Sequence, residues 1–134
     1  MRRCDSSTIE IRDRINTKLI ETPVKGFCWY TKGVYNNASH FINLLEMWLG
    51  KIEDLKLLKK YNINKYDFNA YFLLEFEKGT FFFQPGLEKK FTHNCFEFIC
   101  PNGRLTYNEG GKNIYWQNLK INPNFKNHSI INER

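Results

Sequence analysis

Phe68-Asn69-Ala70-Tyr71-Phe72-Leu73-Leu74-Glu75-Phe76-Glu77-Lys78-Gly79-Thr80-Phe81-Phe82-Phe83-Gln84 is the stretch on which the fold turns. Side chains alternate across a strand, so Phe68, Ala70, Phe72, Leu74 and Phe76 share one apolar face, while Asn69, Tyr71, Leu73, Glu75 and Glu77 take the other. Lys78-Gly79 supplies a turn, and Thr80 to Gln84 is the partner strand of a hairpin. The pattern continues downstream. Asn94 to Cys100 reads as a strand, the Asn102-Gly103 turn leads into Arg104 to Tyr107, and Gly110-Gly111 leads into Asn113 to Gln117. The remainder is polar and expected to be less ordered, apart from Leu119 and Ile121.

Upstream the period changes to that of a helix. Ser7 with Glu10 forms a capping box, and Ile11, Ile15 and Leu19 recur every four residues, giving an amphipathic helix over about Thr8 to Ile20, closed by Pro23. Val24 to Lys32 is rich in strand formers and ends at Gly33. From Asn37 to Leu49 the residues Phe41, Leu44, Leu45, Trp48 and Leu49 form a second helical stripe, with Asn36 or Asn37 as cap and Gly50 as stop. Lys51 to Tyr61 fits either a short helix or a strand. Helices followed by hairpin-linked strands give an α+β fold: a mostly antiparallel sheet with two or three helices on one face. The other face would carry Tyr71, Phe82 and Tyr115, an apolar surface that calls for a partner, so a homodimer or higher oligomer through the sheet is expected.

The chain has 134 residues, the size of one domain, and 42% apolar residues with twelve Phe, which excludes a disordered segment. No run approaches the ~20 apolar residues of a membrane span, and the polar start excludes a signal-peptide core, so a cytoplasmic protein without membrane contact is expected. Cys4, Cys28, Cys95 and Cys100 form no CxxC pair and read as reduced thiols. His93, Cys95 and Cys100 match no zinc spacing, so no metal is expected. The net charge of +6 is spread through mixed-sign runs such as Lys51 to Lys60, which reads as a solvated face and argues against nucleic acid.

The segment Tyr30-Thr31-Lys32-Gly33-Val34-Tyr35-Asn36-Asn37-Ala38-Ser39-His40-Phe41-Ile42-Asn43-Leu44-Leu45 resembles the strand-to-helix segment of the glucose-fructose oxidoreductase and inositol dehydrogenase family, with its small-Ser-His-x-x-Asp-Leu-Leu motif. Arg2-Arg3-Cys4-Asp5 with the helix after it is similar to the stretch that joins that family's two domains. Glu97-Phe98-Ile99-Cys100-Pro101-Asn102-Gly103-Arg104-Leu105 resembles one of its hairpins. The resemblance covers the chain in order to about Leu119. It implies the C-terminal, substrate-facing and oligomer-forming domain of an NAD(P)-dependent sugar oxidoreductase. In that reading His40 is the acid-base group for the substrate hydroxyl, a task suited to an imidazole that titrates near neutral pH. Without the motif, His40 reads more simply as a helix-start residue bonded to the backbone.

Two departures bear on chemistry. Asn36 and Asn43 stand where relatives carry Asp, four residues before and three after the His; an amide can orient a hydroxyl but cannot take its proton. Asn37 matches the Asn-small-Ser-His variant of branches that act on nucleotide-linked or surface-polysaccharide sugars, so the resemblance implies a sugar substrate. Lys32 and Tyr30, at the strand end, are candidate contacts to a substrate phosphate or hydroxyl, with surface Lys and packed Tyr as the plainer readings. No GxGxxG follows a strand, so the Rossmann domain is expected to be absent; NAD or NADP is implied by the family only, and the isolated chain is expected to bind neither and to be inactive. A separate Rossmann-domain chain would then complete the enzyme. The alternatives are a non-catalytic sugar-binding or assembly module and, more remotely, a nucleic-acid-binding domain.

Overall fold

The computed structural model describes residues 6–63, 65–86, 94–108, 113–121 and 129–133; the side chains of Asn36, 119–121 and 129–133 lie outside that description. Helix α1 (Ser6–Asn16) leads to β1 (Val24–Tyr30), a π-helical turn (Val34–Ala38) and helix α2 (Ser39–Leu49). Seven strands follow: β2 (Ile52–Asn62), β3 (Phe68–Phe76), β4 (Gly79–Pro85), β5 (Cys95–Cys100), β6 (Gly103–Asn108), β7 (Asn113–Ile121) and β8 (Ser129–Glu133). Together the strands make an eight-stranded sheet in the order β2-β3-β4-β1-β5-β6-β7-β8. Both flanks are meanders of antiparallel neighbours, β2-β3-β4 and β5 to β8. Strand β1 joins them, parallel to β4 and antiparallel to β5.

The alternation read from Phe68 to Phe76 places Ala70, Phe72, Leu74 and Phe76 in the core. Phe81 and Phe83 of β4, Phe96 and Phe98 of β5, and Leu105 and Tyr107 of β6 extend that face. Helix α2 lies against it through Phe41, Leu44, Leu45, Trp48 and Leu49. The Phe96 ring is the hub: it stacks on Tyr107 at 4.4 Å and meets Phe41, Trp48 and Phe81 edge-on at 5.7 Å each. Such offset and edge-to-face pairs suit the ring quadrupole and add roughly 0.5–1.5 kcal/mol each beyond burial. Trp48 also donates its indole N–H to Thr8 O at 2.9 Å, locking α2 to α1.

Several boundaries differ from the expectation. The first helix ends at Asn16, because Lys18 takes a positive φ of 65° and Ile20 N bonds back to Arg14 O. Leu19 is therefore turned out to solvent and Ile20 is buried in its place. Ser7 falls inside the first helical turn instead of ahead of it. The ambiguous stretch after Gly50 is strand β2. The polar C-terminal remainder contributes β8, paired with β7 from Gln117↔Glu133 to Ile121↔Ser129. Cys95 and Cys100 stand at opposite ends of β5; Cys4, His93 and the Gly110-Gly111 turn lie outside the described residues.

Gly26 of β1 lies beneath Phe81: a Cβ there would come within 2.3 Å of the ring. The missing side chain is what lets Phe81 cross β1 and reach Phe96 and Phe98. We expect Gly26→Ala to lower unfolding free energy by about 1–3 kcal/mol through overpacking. Phe81→Leu should relieve part of that cost, a non-additivity readable in a double-mutant cycle of chemical denaturation.

Candidate functional site

The chain leaves β1 at Tyr30 and reaches the π-helical turn at Val34, with three residues between. Within that short connection Thr31 is buried, and its N–H donates to Asn94 Oδ1 at 3.0 Å. Its carbonyl accepts from Asn37 Nδ2 at 2.7 Å. Gly33 takes a φ of 95°, and a Cβ there would lie 2.2 Å from Asp67 Oδ2. The Asp67 carboxylate in turn accepts from Tyr35 N at 3.0 Å and Phe68 N at 2.8 Å. A left-handed conformation and a carboxylate packed against the backbone together require glycine at this position.

The turn bonds Asn37 N and Ala38 N to Gly33 O, at 3.1 and 3.3 Å. Ser39 donates its hydroxyl to Tyr35 O at 2.6 Å, so helix α2 starts with its hydroxyl turned back onto the turn. The expected side-chain cap is replaced: Asn37 ties the turn to β1 and no side chain caps α2.

His40, the second residue of α2, is exposed to solvent, and Lys32 is exposed on the connection, at a φ of 65°. Asn43, three residues after His40 and so on the same helical face, is half-buried. Asn37 is half-buried, with its amide engaged at Thr31. The side chain of Asn36 lies outside the described residues. Tyr30 differs from the expectation of a substrate contact. It is wholly buried, and its hydroxyl donates to Ala70 O at 2.6 Å and accepts from Ala70 N at 2.7 Å. The cause is Pro85. The β3–β4 ladder ends at Phe72↔Phe83, and two residues further it would set Ala70 against Pro85, which has no N–H. The phenol supplies the donor and acceptor that β4 does not.

What the arrangement offers is a surface-accessible imidazole at the start of a helix, with the Asn43 amide on the same helical face. Thiol chemistry is disfavoured. Burial, with Cys95 beside it, pushes the Cys28 thiol well above its usual pKa, and burial also raises Cys95 and Cys100, keeping all three protonated near neutral pH. On the opposite face of the sheet a hollow of about 300 Å³ is lined by Phe27, Trp29, Cys95, Glu97 and Asn108. It is separated from His40 by the sheet and core. Asp67, Asn94 and the back-bonded Ser39 hydroxyl are the positioning groups that sequence reasoning missed. Asp67 and Asn94 act 32 and 63 residues away in the chain, where no local pattern reaches.

No protein-family model and no curated protein matches the sequence. Solved structures do match in fold. An oxidoreductase from Sinorhizobium meliloti aligns with a TM-score of 0.63 at 16% identity, over 96% of this chain and 39% of its own. An oxidoreductase from Agrobacterium radiobacter, solved with NAD+, L-tartaric acid and magnesium, aligns at 0.59 with 13% identity, over 97% and 43%. A 3-ketoreductase from Actinomadura kijaniata, in complex with NADP, aligns at 0.57 with 13% identity, over 96% and 44%. The chain thus spans less than half the length of these proteins. At such identities the likeness establishes the fold, which is the one the resemblance to NAD(P)-dependent oxidoreductases leads one to expect.

Replacing Asp67 with Ala should cost about 1.5–3 kcal/mol in denaturant unfolding, the scale of hydrogen bonds to a charged acceptor. It should also speed hydrogen exchange at the Tyr35 amide. Asp67→Asn, which keeps an acceptor oxygen, should recover most of both.

Proposed function

We propose that this chain is the substrate-facing and oligomer-forming domain of an NAD(P)-dependent sugar oxidoreductase of the glucose-fructose oxidoreductase and inositol dehydrogenase family, completed by a dinucleotide-binding domain from elsewhere. The observation that carries it is the coincidence of two things. The fold is shared, over nearly the whole chain, with a minority portion of oxidoreductases solved with NAD+ or NADP. The family-like Ala38-Ser39-His40 run falls at the start of α2, with the imidazole open to solvent.

The described residues hold no glycine-rich strand-to-helix turn, so they do not fit a dinucleotide pyrophosphate, and no step on this chain runs through one. This chain's part is the substrate and its proton. His40 accepts the proton of a sugar hydroxyl; Asn37 and Asn43 orient neighbouring hydroxyls; Lys32, free to swing at the surface, meets a phosphate of a nucleotide-linked sugar. Asn36 belongs to the same set by its place in the motif. A cytoplasmic setting goes with this reading; no helix among the described residues is long and apolar enough to cross a membrane.

A second reading, a non-catalytic sugar-binding or assembly module, is favoured by one specific feature: amides at 36 and 43 where the family motif carries acids. Titrating a uridine diphosphate sugar into the chain while following the imidazole resonances by NMR tests the site. Saturable shifts at His40, weakened about tenfold or more in Lys32→Ala, are expected. Unperturbed His40 resonances at high ligand concentration would remove the substrate role. Adding a family dinucleotide-binding domain and NAD+ then separates the readings, since turnover lost in His40→Gln marks an enzyme half and persistent inactivity marks a binding module.

The sheet's open face supports self-association. Its middle rows carry Phe27 against Phe82 at 5.5 Å and against Trp29 at 5.4 Å, with Ile99 53% and Tyr115 49% exposed. A face-to-face contact between two copies would cover these rings. Ile99→Arg is expected to weaken dimerisation by at least tenfold in analytical ultracentrifugation without changing the unfolding midpoint.

A further inference from the structure

Strand β2 is unlike the other strands. It is eleven residues long, pairs on one side only among the described residues, and is exposed at every position after Ile52. At roughly 3.3 Å per residue it offers an edge about 36 Å long. Leu55, Leu57 and Leu58 are 56%, 53% and 64% exposed, an unusual apolar load for a free edge. Its charges are sorted by sign: Glu53 and Asp54 near the start, Lys56, Lys59 and Lys60 towards the end.

We propose that β2 is a second contact between copies of this chain, pairing edge to edge and antiparallel with the β2 of another copy. A strand that is acidic at one end and basic at the other is its own complement when turned end for end. The register against β3 fixes which side chains meet. Leu55 and Leu57 oppose Leu74 and Phe72 and so point to the helix side; Asp54, Lys56 and Lys59 oppose Glu75, Leu73 and Tyr71 and point to the open side. A two-fold axis through Lys56 sets Leu55 of each copy opposite Leu57 of the other, on the helix side. It sets Asp54 opposite Lys59 on the open side, the bulge at Leu58 absorbing the extra residue. The four leucines pack on one another across the axis, and two opposite-charge pairs form as Asp54 exchanges the Leu55 N–H it accepts at 2.9 Å for Lys59 of the other copy. The like-charged Lys56 pair on the axis has an Asp54 on each diagonal.

Bulges and lysines on an edge discourage indiscriminate pairing. Here they leave one arrangement open, because only a strand with acids against Lys59 and apolar residues against Leu55 and Leu57 fits, and β2 itself is such a strand. The contact is independent of the open face and of any catalytic role.

The test is a charge swap in the full chain carrying Ile99→Arg, so that the open-face contact is removed from the readout. Sedimentation equilibrium over a concentration series should show residual self-association. Asp54→Lys or Lys59→Asp alone should weaken it about tenfold, and the double reversal should restore it. All these positions lie at the solvent-exposed edge, and an unchanged thermal midpoint checks folding. A strictly monomeric Ile99→Arg chain, association indifferent to either reversal, or a double reversal that stays as weak as the singles would each overturn the proposal. The first two results leave the open-face contact untouched, which Ile99→Arg in the otherwise native chain decides by itself.

Discussion

Three residues, Thr31 to Gly33, carry the chain from the middle of the sheet to the turn before α2, and the position of everything on that helix follows from how they are held. A free three-residue connection would leave the helix start with many orientations. Here Thr31 is bonded by Asn94 at the head of β5 and by Asn37 from the turn itself, while Asp67 at the head of β3 takes the Tyr35 N–H two residues past Gly33. Gly33 is the only residue type that admits the Asp67 carboxylate at such range while holding its φ of 95°. His40 thus stands on a platform referenced to both halves of the sheet.

The core supports that platform from below. Phe41, one residue after His40, packs its ring at right angles to Tyr107 and nearly so to Phe96, so the first turn of α2 is anchored by the aromatic layer while the imidazole stays outside it. At the far end the helix is tied to the β3–β4 turn, with Lys78 N donating to Leu49 O at 2.9 Å. Asn102 does the same for the exit of α1, accepting from Glu21 N and donating to Leu19 O. Both helices are therefore fixed to hairpin turns of the sheet they cover.

How much of this could be read from the sequence depended on the range of the interaction. Strands β3 to β6 and helix α2 carry period-two or helical stripes because one face of each is buried, and those stripes are local. Strand β2 has no such stripe, since neither face is covered, and so its leucines fitted helix and strand alike. The true end of α1 rested on the backbone twist at Lys18, which moved the burial from Leu19 to Ile20. Tyr30 looked like a site residue because it ends the strand before the motif. That its hydroxyl belongs to Ala70 follows only from the register that would set Pro85 opposite, a fact of tertiary structure. Asp67 was the least legible, an acid in a polar stretch whose partner amide lies 32 residues earlier, in the turn before α2. The placement of His40 in the open was carried by the motif.

Strand β1 is the joint between two meanders that are each built from neighbours in the chain. The flanking sets, β2 to β4 and β5 to β8, can assemble through short hairpin closures of low entropic cost. Bringing them side by side requires Lys25 to find Thr80 on one edge and Ile99 on the other, over separations of 55 and 74 residues. Contacts at such separations carry a larger loop-closure cost than the hairpins do, and the sheet is one body only with its first strand in place. The Phe96 and Tyr107 rings on which Phe41 and Trp48 rest belong to one half alone, so it is this joint that ties the floor beneath the helix to the strands that hold Asp67.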